Sequence, residues 1–482
     1  MARAVRAKLL TWPYTIALVA CALSFAAFWL AQRASGVSMI DLMVYRAEGW
    51  TVRNGDDLYA MRATDSDLPM TYPPFAALLF LPLTMVGVPD MRALATLANL
   101  VLLVALIHLS LRLAGRPLRV PRPAAALFLA SFAVWCEPVW TTLRYGQINL
   151  LLAVLVLWDL SRSRDHRWAG VGIGIAAGIK LTPALFVVLL AICGSVRSWR
   201  HVRHVQHVRH TGRGATTVRA VRAADLWNPW LRQAAVATAA FLATVLLAAL
   251  VLPRDSLHFW TETLFESGRV GRTENSANQS LSGVVARLLH TPEPGGLWAV
   301  LAALVVVLGL AVAVAAALAG PRRLPHAPAW AAMACAVTAL LVSPVSWSHH
   351  WVWCVPMVVL LGAEAHRRSS ARWWAGTAVT GLVFLSYAPW LVPQAPAAPL
   401  SVSPELHQNG GQMLLSAIYP LAGAVFLTVA AVLSVRALRT DTPRPAPHET
   451  GRTGPQERRA EAASECLARR GAVRLWRTNR SA

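Results

Sequence analysis

Four clusters of polar side chains interrupt an otherwise apolar chain, and their types suit proton transfer, anion binding and sugar recognition. In MIDLMVYRAEG, Asp41 and Tyr45 stand four residues apart and share one face of any helix they lie on. An acid placed just after a helical run is most often a surface residue or a cap, and it is also the type that takes a proton from a hydroxyl. The second cluster, EPVWTTLRYGQIN, carries Glu137, Arg144, Gln147 and Asn149; Tyr and Arg in such a place are common interface anchors. In GIGIAAGIKLTPALF, Lys180 sits inside an apolar stretch from Trp168 to Gly194 and is one of only two lysines, the other being Lys8. A lysine there is costly unless it snorkels to headgroups or meets an anion.

The third cluster, LLVSPVSWSHHWVW, contains Ser343, Ser346, His349 and His350. Adjacent histidines face different ways on a helix, so they make a poor joint metal site and suit single contacts to a phosphate or a sugar hydroxyl. The fourth, ENSANQSLSG, places Asn278 and Gln279 among hydroxyls, and amides and hydroxyls are the groups that hydrogen-bond sugars. A further tract, HVRHVQHVRH, repeats His201, His204, His207 and His210 without a carboxylate or thiol partner. It reads as a solvated basic loop, and no metal site is expected.

The elements that must position these clusters are membrane helices. Of 482 residues, 56% are hydrophobic and 14% charged, against about a quarter charged in a soluble domain. The net charge of +22 lies in short basic clusters between long apolar runs, which points to a polytopic all-α membrane protein in contact with lipid and excludes a nucleic-acid binder. About twelve crossings are expected, near residues 12–31, 93–111, 123–136, 147–160, 168–179, 181–194, 233–252, 297–319, 327–342, 351–363, 373–391 and 413–435. The apolar run Tyr72 to Val88 opens with Tyr72-Pro73-Pro74, contains Pro82 and closes on Gly87 and Pro89, so it is assigned to an interfacial helix in a long first outer loop. The run from Thr11 to Ala31 lacks a small-x-small cleavage site and is kept as a helix. The six cysteines are singletons and read as packing residues.

The positive-inside rule places both termini in the cytoplasm and all four polar clusters on the outer face of the plasma membrane. Trp168 to Ile179 reaches only about 18 Å as a helix, short of a hydrocarbon core of about 30 Å. A broken hairpin with Lys180 at its outer turn is therefore expected. Residues 1–438 are expected to form one transmembrane catalytic domain, with a basic cytoplasmic loop at 195–232, and 439–482 a disordered basic cytoplasmic tail.

Taken in order, DLMVYRAEG, LYAMRATDSDLPMTYPPFAALLFLPL, RYGQINLLL, GIKLTPAL, NQSLSG and SPVSWSHHWVW resemble glycosyltransferase family 87 from about Asp41 to Pro356. These are polyprenyl-phosphate-mannose-dependent mannosyltransferases of actinobacteria, of GT-C architecture. The resemblance implies a lipid-linked mannosyl monophosphate as donor, a mannan or glycolipid as acceptor, and inversion from a β donor to an α linkage, expected to be α-(1,2). It implies no separate cofactor. The family's essential acid falls on Asp41, as base for the acceptor hydroxyl. Lys180, Arg144, His349 and His350 are then the contacts for the departing phosphate, and Tyr45, Tyr72, Gln147, Asn149, Asn278 and Gln279 the contacts to sugar or acceptor. The alternatives are an arabinofuranosyltransferase of the same family and a lipid or sugar transporter or flippase. Against transport, no two-fold repeat of spans is visible and the polar residues lie on one face.

Overall fold

Proline opens and glycine closes many of the helices, which suits a chain that must start and stop segments sharply at a membrane surface. The computed structural model describes residues 2–115, 120–210, 226–394 and 403–439, and among the described residues no strand forms. Helix α1 (Ala2–Ala34) carries the apolar run from Trp12. Helix α2 (Ile40–Asn54) closes on Gly55 at φ 77°, and α3 (Pro74–Phe80) opens with proline and runs into the 3-10 turn Leu81–Met85. Helix α4 (Val88–Ala114) closes on Gly115 at φ 76°.

Six described helices are long and apolar enough to cross a membrane: Trp12–Ala34, Val88–Ala114, Ala184–His207, Pro229–Val251, Gly295–Arg323 and Ile418–Arg439. A seventh crossing results if α5 (Arg122–Ala133) and α6 (Glu137–Tyr145) are one span, bent by 82° where Cys136 turns extended ahead of Pro138. Length and composition therefore do not yield the expected twelve. The other apolar runs fold as shorter helices, among them α7 (Asn149–Leu160), α8 (Val171–Ile179), Ala327–Val342, Cys354–Arg368 and Ala371–Leu385. A twelve-residue helix rises only about 18 Å. Ala327–Val342 is sheltered by neighbours along nearly its whole length, whereas Ala371–Leu385 buries only Thr377 and Phe384.

The expected interruption at Lys180 is present: α8 stops at Ile179, Lys180 is extended (φ −148°, ψ 129°), and α9 (Ala184–His210) begins after Pro183. The basic segment from Ser195, expected to be loop, instead continues α9 through His210, because no glycine or proline breaks it there. The remainder of that loop up to residue 225 and the tail from residue 440 lie outside the described residues. The following helix opens at Pro229, where the Asn228 side chain accepts from Trp230 N (3.0 Å) and Leu231 N (3.3 Å).

Two close helix approaches set the frame of the site. Tyr72 to Val88 does form the expected short helical segment, and it lies tightly on α2: a Cβ on Gly49 would come 2.7 Å from the Phe80 carbonyl oxygen. Gly174 and Gly178 of α8 likewise leave no room for a Cβ against Ala237 and Thr244 of Pro229–Val251. Small residues at such contacts let membrane helices gain dispersion contacts in the absence of a hydrophobic driving force.

Candidate functional site

The site begins on α2, whose inner face presents Asp41, Tyr45 and Glu48 at helical spacing. The Tyr45 ring stacks on Phe80 with centroids 4.4 Å apart, which fixes the phenol. Its hydroxyl donates to Gln147 Oε1 at 2.7 Å and lies 3.1 Å from the Tyr72 hydroxyl, which itself reaches Gln147 Oε1 at 3.3 Å. With its oxygen taken by the two tyrosines, Gln147 turns Nε2 to Asp41 and donates to Oδ2 at 2.7 Å. Gln147 can approach α2 this closely because Gly146 precedes it. Gly146 adopts φ 70°, and a Cβ there would sit 2.6 Å from the Leu42 Cβ.

Across the same cavity stand Lys180 and His350. The Lys180 Nζ is 3.0 Å from His350 Nε2 and 5.3 Å from the centre of the Tyr72 ring. His350 Nδ1 accepts from the Trp347 backbone N–H at 3.2 Å, so the neutral ring carries its proton on Nε2. Two N–H groups therefore point at one another unless Lys180 is a free amine. An anion placed between them accepts from both and removes that conflict.

The cavity encloses about 310 Å³, and Asp41, Tyr45, Tyr72, Gln147, Lys180 and His350 all line it. A smaller recess of about 60 Å³ adjoins it, sharing Lys180 and His350 and otherwise largely apolar, with Leu152, Phe186, Leu340 and Trp353 in its wall. The Lys180–His350 pair thus marks the boundary between a polar chamber and an apolar one.

Burial raises the Asp41 carboxyl to about 6, opposed by the Gln147 hydrogen bond and the Lys180 charge. Near neutral pH it is therefore a carboxylate of tuned basicity, the property a general base needs. Burial lowers the Lys180 ammonium to about 8, with the Asp41 charge opposing. Burial, and then the Lys180 charge, bring His349 down to about 3 and hold His350 well below its usual value, so both rings are neutral.

The remaining predicted residues lie elsewhere. Asn278 and Gln279 do not line the cavity: Asn278 Oδ1 accepts from Ser346 N at 3.0 Å, and Gln279 Nε2 donates to the carbonyls of Ser276 and Ser416 at 2.6 Å each. The Asn278 amide pins the 272–280 loop to the segment before the histidines, where Gln279 N also donates to Ser346 O and Ser348 N to Ala277 O, while the Gln279 amide ties the same loop to Ser416. Asn149 borders only the apolar recess and donates to the His349 carbonyl at 3.1 Å, beside Thr142 at 2.9 Å. His349 packs edge-on against Tyr145 and His350 without reaching the cavity. Arg144 is exposed and outside it. Among the described residues no group of three or more His, Cys, Asp or Glu side chains is gathered for a metal ion.

Several cavity residues escaped the sequence reading, Glu48, Glu266, Arg269 and Trp347 among them. Glu48 is buried and lines the chamber with Oε2 lacking any partner; burial and the Asp41 charge hold its carboxyl well above the usual carboxylate range. Its place seven residues after Asp41 and three after Tyr45 was the signal for it. Arg269, which donates to the Met70 carbonyl at 3.0 Å, and Trp347 come from distant loops with no such local signal.

The sequence profile of glycosyltransferase family 87 matches residues 70–205 and 220–344. A polyprenol-phosphate-mannose-dependent alpha-(1-2)-phosphatidylinositol pentamannoside mannosyltransferase from Mycobacterium tuberculosis is 32% identical over 376 residues, 76% of this chain and 75% of its own length. A polyprenol-phosphate-mannose-dependent alpha-(1-2)-phosphatidylinositol mannoside mannosyltransferase from Mycolicibacterium smegmatis is 31% identical over 367 residues, 73% of this chain and 75% of its own. Among solved structures, ArnT from Cupriavidus metallidurans bound to undecaprenyl phosphate aligns over 86% of this chain and 77% of its own, with 14% identity and a TM-score of 0.37. With most of the chain matched by such relatives and more than half of it by the profile, this protein belongs to glycosyltransferase family 87.

Proposed function

We propose that this membrane glycosyltransferase moves mannose from a polyprenyl-phosphate donor to a hydroxyl of a phosphatidylinositol mannoside or related glycolipid. The observation that carries the reading is the position of Lys180 and His350 at the boundary of a polar chamber holding Asp41 and an apolar recess. A lipid-linked sugar phosphate has that same order of parts: prenyl chain, phosphate, sugar. The names of the relatives, which give a polyprenol-phosphate-mannose donor, a phosphatidylinositol mannoside acceptor and an α-(1,2) linkage for those proteins, support this choice of donor, acceptor and bond.

In the proposed reaction the acceptor hydroxyl oxygen attacks the anomeric carbon on the face opposite the phosphate. The bond from that carbon to the phosphate oxygen breaks, and the polyprenyl phosphate leaves with the electron pair. Asp41 takes the hydroxyl proton, while Lys180 and His350 meet the charge that grows on the phosphate. Attack from the opposite face converts a β donor to an α product. The donor is already activated, so the reaction uses no separate cofactor. The distribution of basic residues along the chain supports a chamber on the outer face of the plasma membrane.

The test supplies purified protein with radiolabelled polyprenyl-phosphate-mannose and a short mannoside, followed by linkage analysis of the product. An α-(1,2)-linked mannoside is expected, and none from Asp41→Asn, whose amide keeps the shape but cannot take the proton. Transfer by Asp41→Asn near the unaltered rate removes Asp41 from the mechanism. Transfer from an arabinosyl donor alone overturns the choice of sugar.

A further inference from the structure

A second cavity, of about 360 Å³, lies between the end of α1 and the start of α4. Its wall includes Trp29, Gln32, Arg33, Pro89, Arg92 and Thr96, and neither Asp41, Gln147 nor Lys180 borders it. Met39, two residues before Asp41, also lines it, so it borders the start of the helix that carries Asp41 into the other chamber.

Its polar groups are unfinished. Gln32 is only 6% exposed, and neither its Nε2 nor its Oε1 has a hydrogen-bond partner. Arg92 Nε is buried and equally without one. A buried amide left unmade at both ends is unusual, and groups of this kind point to an occupant. Arg33 adds a second guanidinium, 5.8 Å from the centre of the Trp29 ring, and no carboxylate lines the cavity.

We propose that this cavity binds the phosphodiester headgroup of an anionic membrane lipid whose alcohol is a polyol. The two guanidinium groups and Gln32 Nε2 offer donors to phosphate oxygens. Gln32 Oε1 requires a donor in return, which a glycerol or inositol hydroxyl supplies and a choline does not. The place suits a headgroup: the cavity is lined from the last turns of the apolar run of α1, which ends at Ala34, and from the first turns of that of α4, which begins at Val88. Trp29 is an aromatic of the kind that settles at that depth. Arginine near the membrane surface draws anionic headgroups in any case; the buried, unpartnered amide is what makes this a formed site.

The test uses the full-length protein, delipidated in a neutral detergent, with thermal unfolding followed against added phosphatidylglycerol, phosphatidylcholine or free glycerol 3-phosphate. Phosphatidylglycerol is expected to raise the midpoint by several degrees more than phosphatidylcholine does, and native mass spectrometry to retain one such lipid. Gln32→Leu is expected to remove that increment without lowering the lipid-free midpoint, because the amide it deletes has no partner to lose. Arg33 is exposed, so Arg33→Gln weakens the same increment with little risk to folding. Equal stabilisation by phosphatidylcholine, or an unchanged increment in both variants, overturns the proposal. Stabilisation by glycerol 3-phosphate without any by phosphatidylglycerol overturns the lipid as its source.

Discussion

Gln147 donates Nε2 to Asp41 Oδ2 at 2.7 Å while its Oε1 accepts from Tyr45 at 2.7 Å, so one amide ties the first-loop helix to the residue just after α6. The ionised Asp41 carboxylate only accepts, so the amide turns its N–H to it and leaves its oxygen for the two tyrosines. Removing the N–H donor should therefore act on Asp41 itself. A hydrogen bond to a charged group contributes about 1.5–3 kcal/mol, equivalent to about 1–2 pH units. In Gln147→Leu the acid limb of the kcat/KM profile is expected to move upward by that order, with activity recovering at higher pH. A limb that stays in place separates Gln147 from the tuning of Asp41.

The unaltered protein should show a bell-shaped kcat/KM profile. Asp41 must be deprotonated to act as base, so activity falls as pH drops through about 6. Lys180 must be protonated to meet the donor phosphate, so activity falls as pH rises through about 8. The maximum lies between these limbs. A profile flat across that window contradicts both assignments.

Lys180→Met is expected to reduce kcat/KM for the donor by about a hundredfold, the scale of losing one charge-assisted contact that strengthens in the transition state. Lys180→Arg should restore part of it, since the guanidinium keeps the charge. A lysine that only snorkels predicts the reverse, with Met tolerated. Single-turnover transfer at limiting donor reads the difference.

Glu137 should matter to the position of the histidine turn. Its Oε1 accepts from Thr141 (2.7 Å), Ser348 (2.8 Å) and Trp390 (2.8 Å), and its Oε2 from the Tyr419 hydroxyl (2.9 Å). In Glu137→Gln one of the two acceptors becomes a donor facing donors. A loss of about 1–3 kcal/mol is expected, seen as a lower unfolding midpoint together with weaker donor use. An unchanged midpoint shows that the four bonds do not hold the turn.

For topology, cysteines at the exposed positions Asp57 and Thr261 should react with an impermeant thiol reagent on intact spheroplasts, above the background of the unaltered chain. One at the exposed position Ser163 should react only after permeabilisation. Labelling of Ser163→Cys on intact cells inverts the orientation.

What the sequence determined by itself was local. Hydropathy and charge marked a helical membrane protein, the Asp41–Tyr45 face follows from the four-residue step, and the break at Lys180 follows from a short helix ahead of Thr182-Pro183. The same periodicity extends to Glu48, one step further along that face. Tertiary structure decided the rest. Twelve apolar runs did not become twelve long crossings, and short helices such as Asn149–Leu160, Val171–Ile179 and Ala327–Val342 are buried among neighbours, which hydropathy along the chain cannot show. Asn278 and Gln279 have the chemistry to bind sugar, yet an amide pairs equally well with backbone, and nothing in the sequence says which partner arrives. Arg269, Trp347 and His350 meet Asp41 across one chamber: Arg269 donates to the Met70 carbonyl, and the 272–280 loop is pinned to the stretch Ser346–Ser348 just ahead of the histidines. Such a meeting depends largely on backbone groups that every residue carries, and the side chains that share in it, such as Asn278, do not name their partners in the sequence.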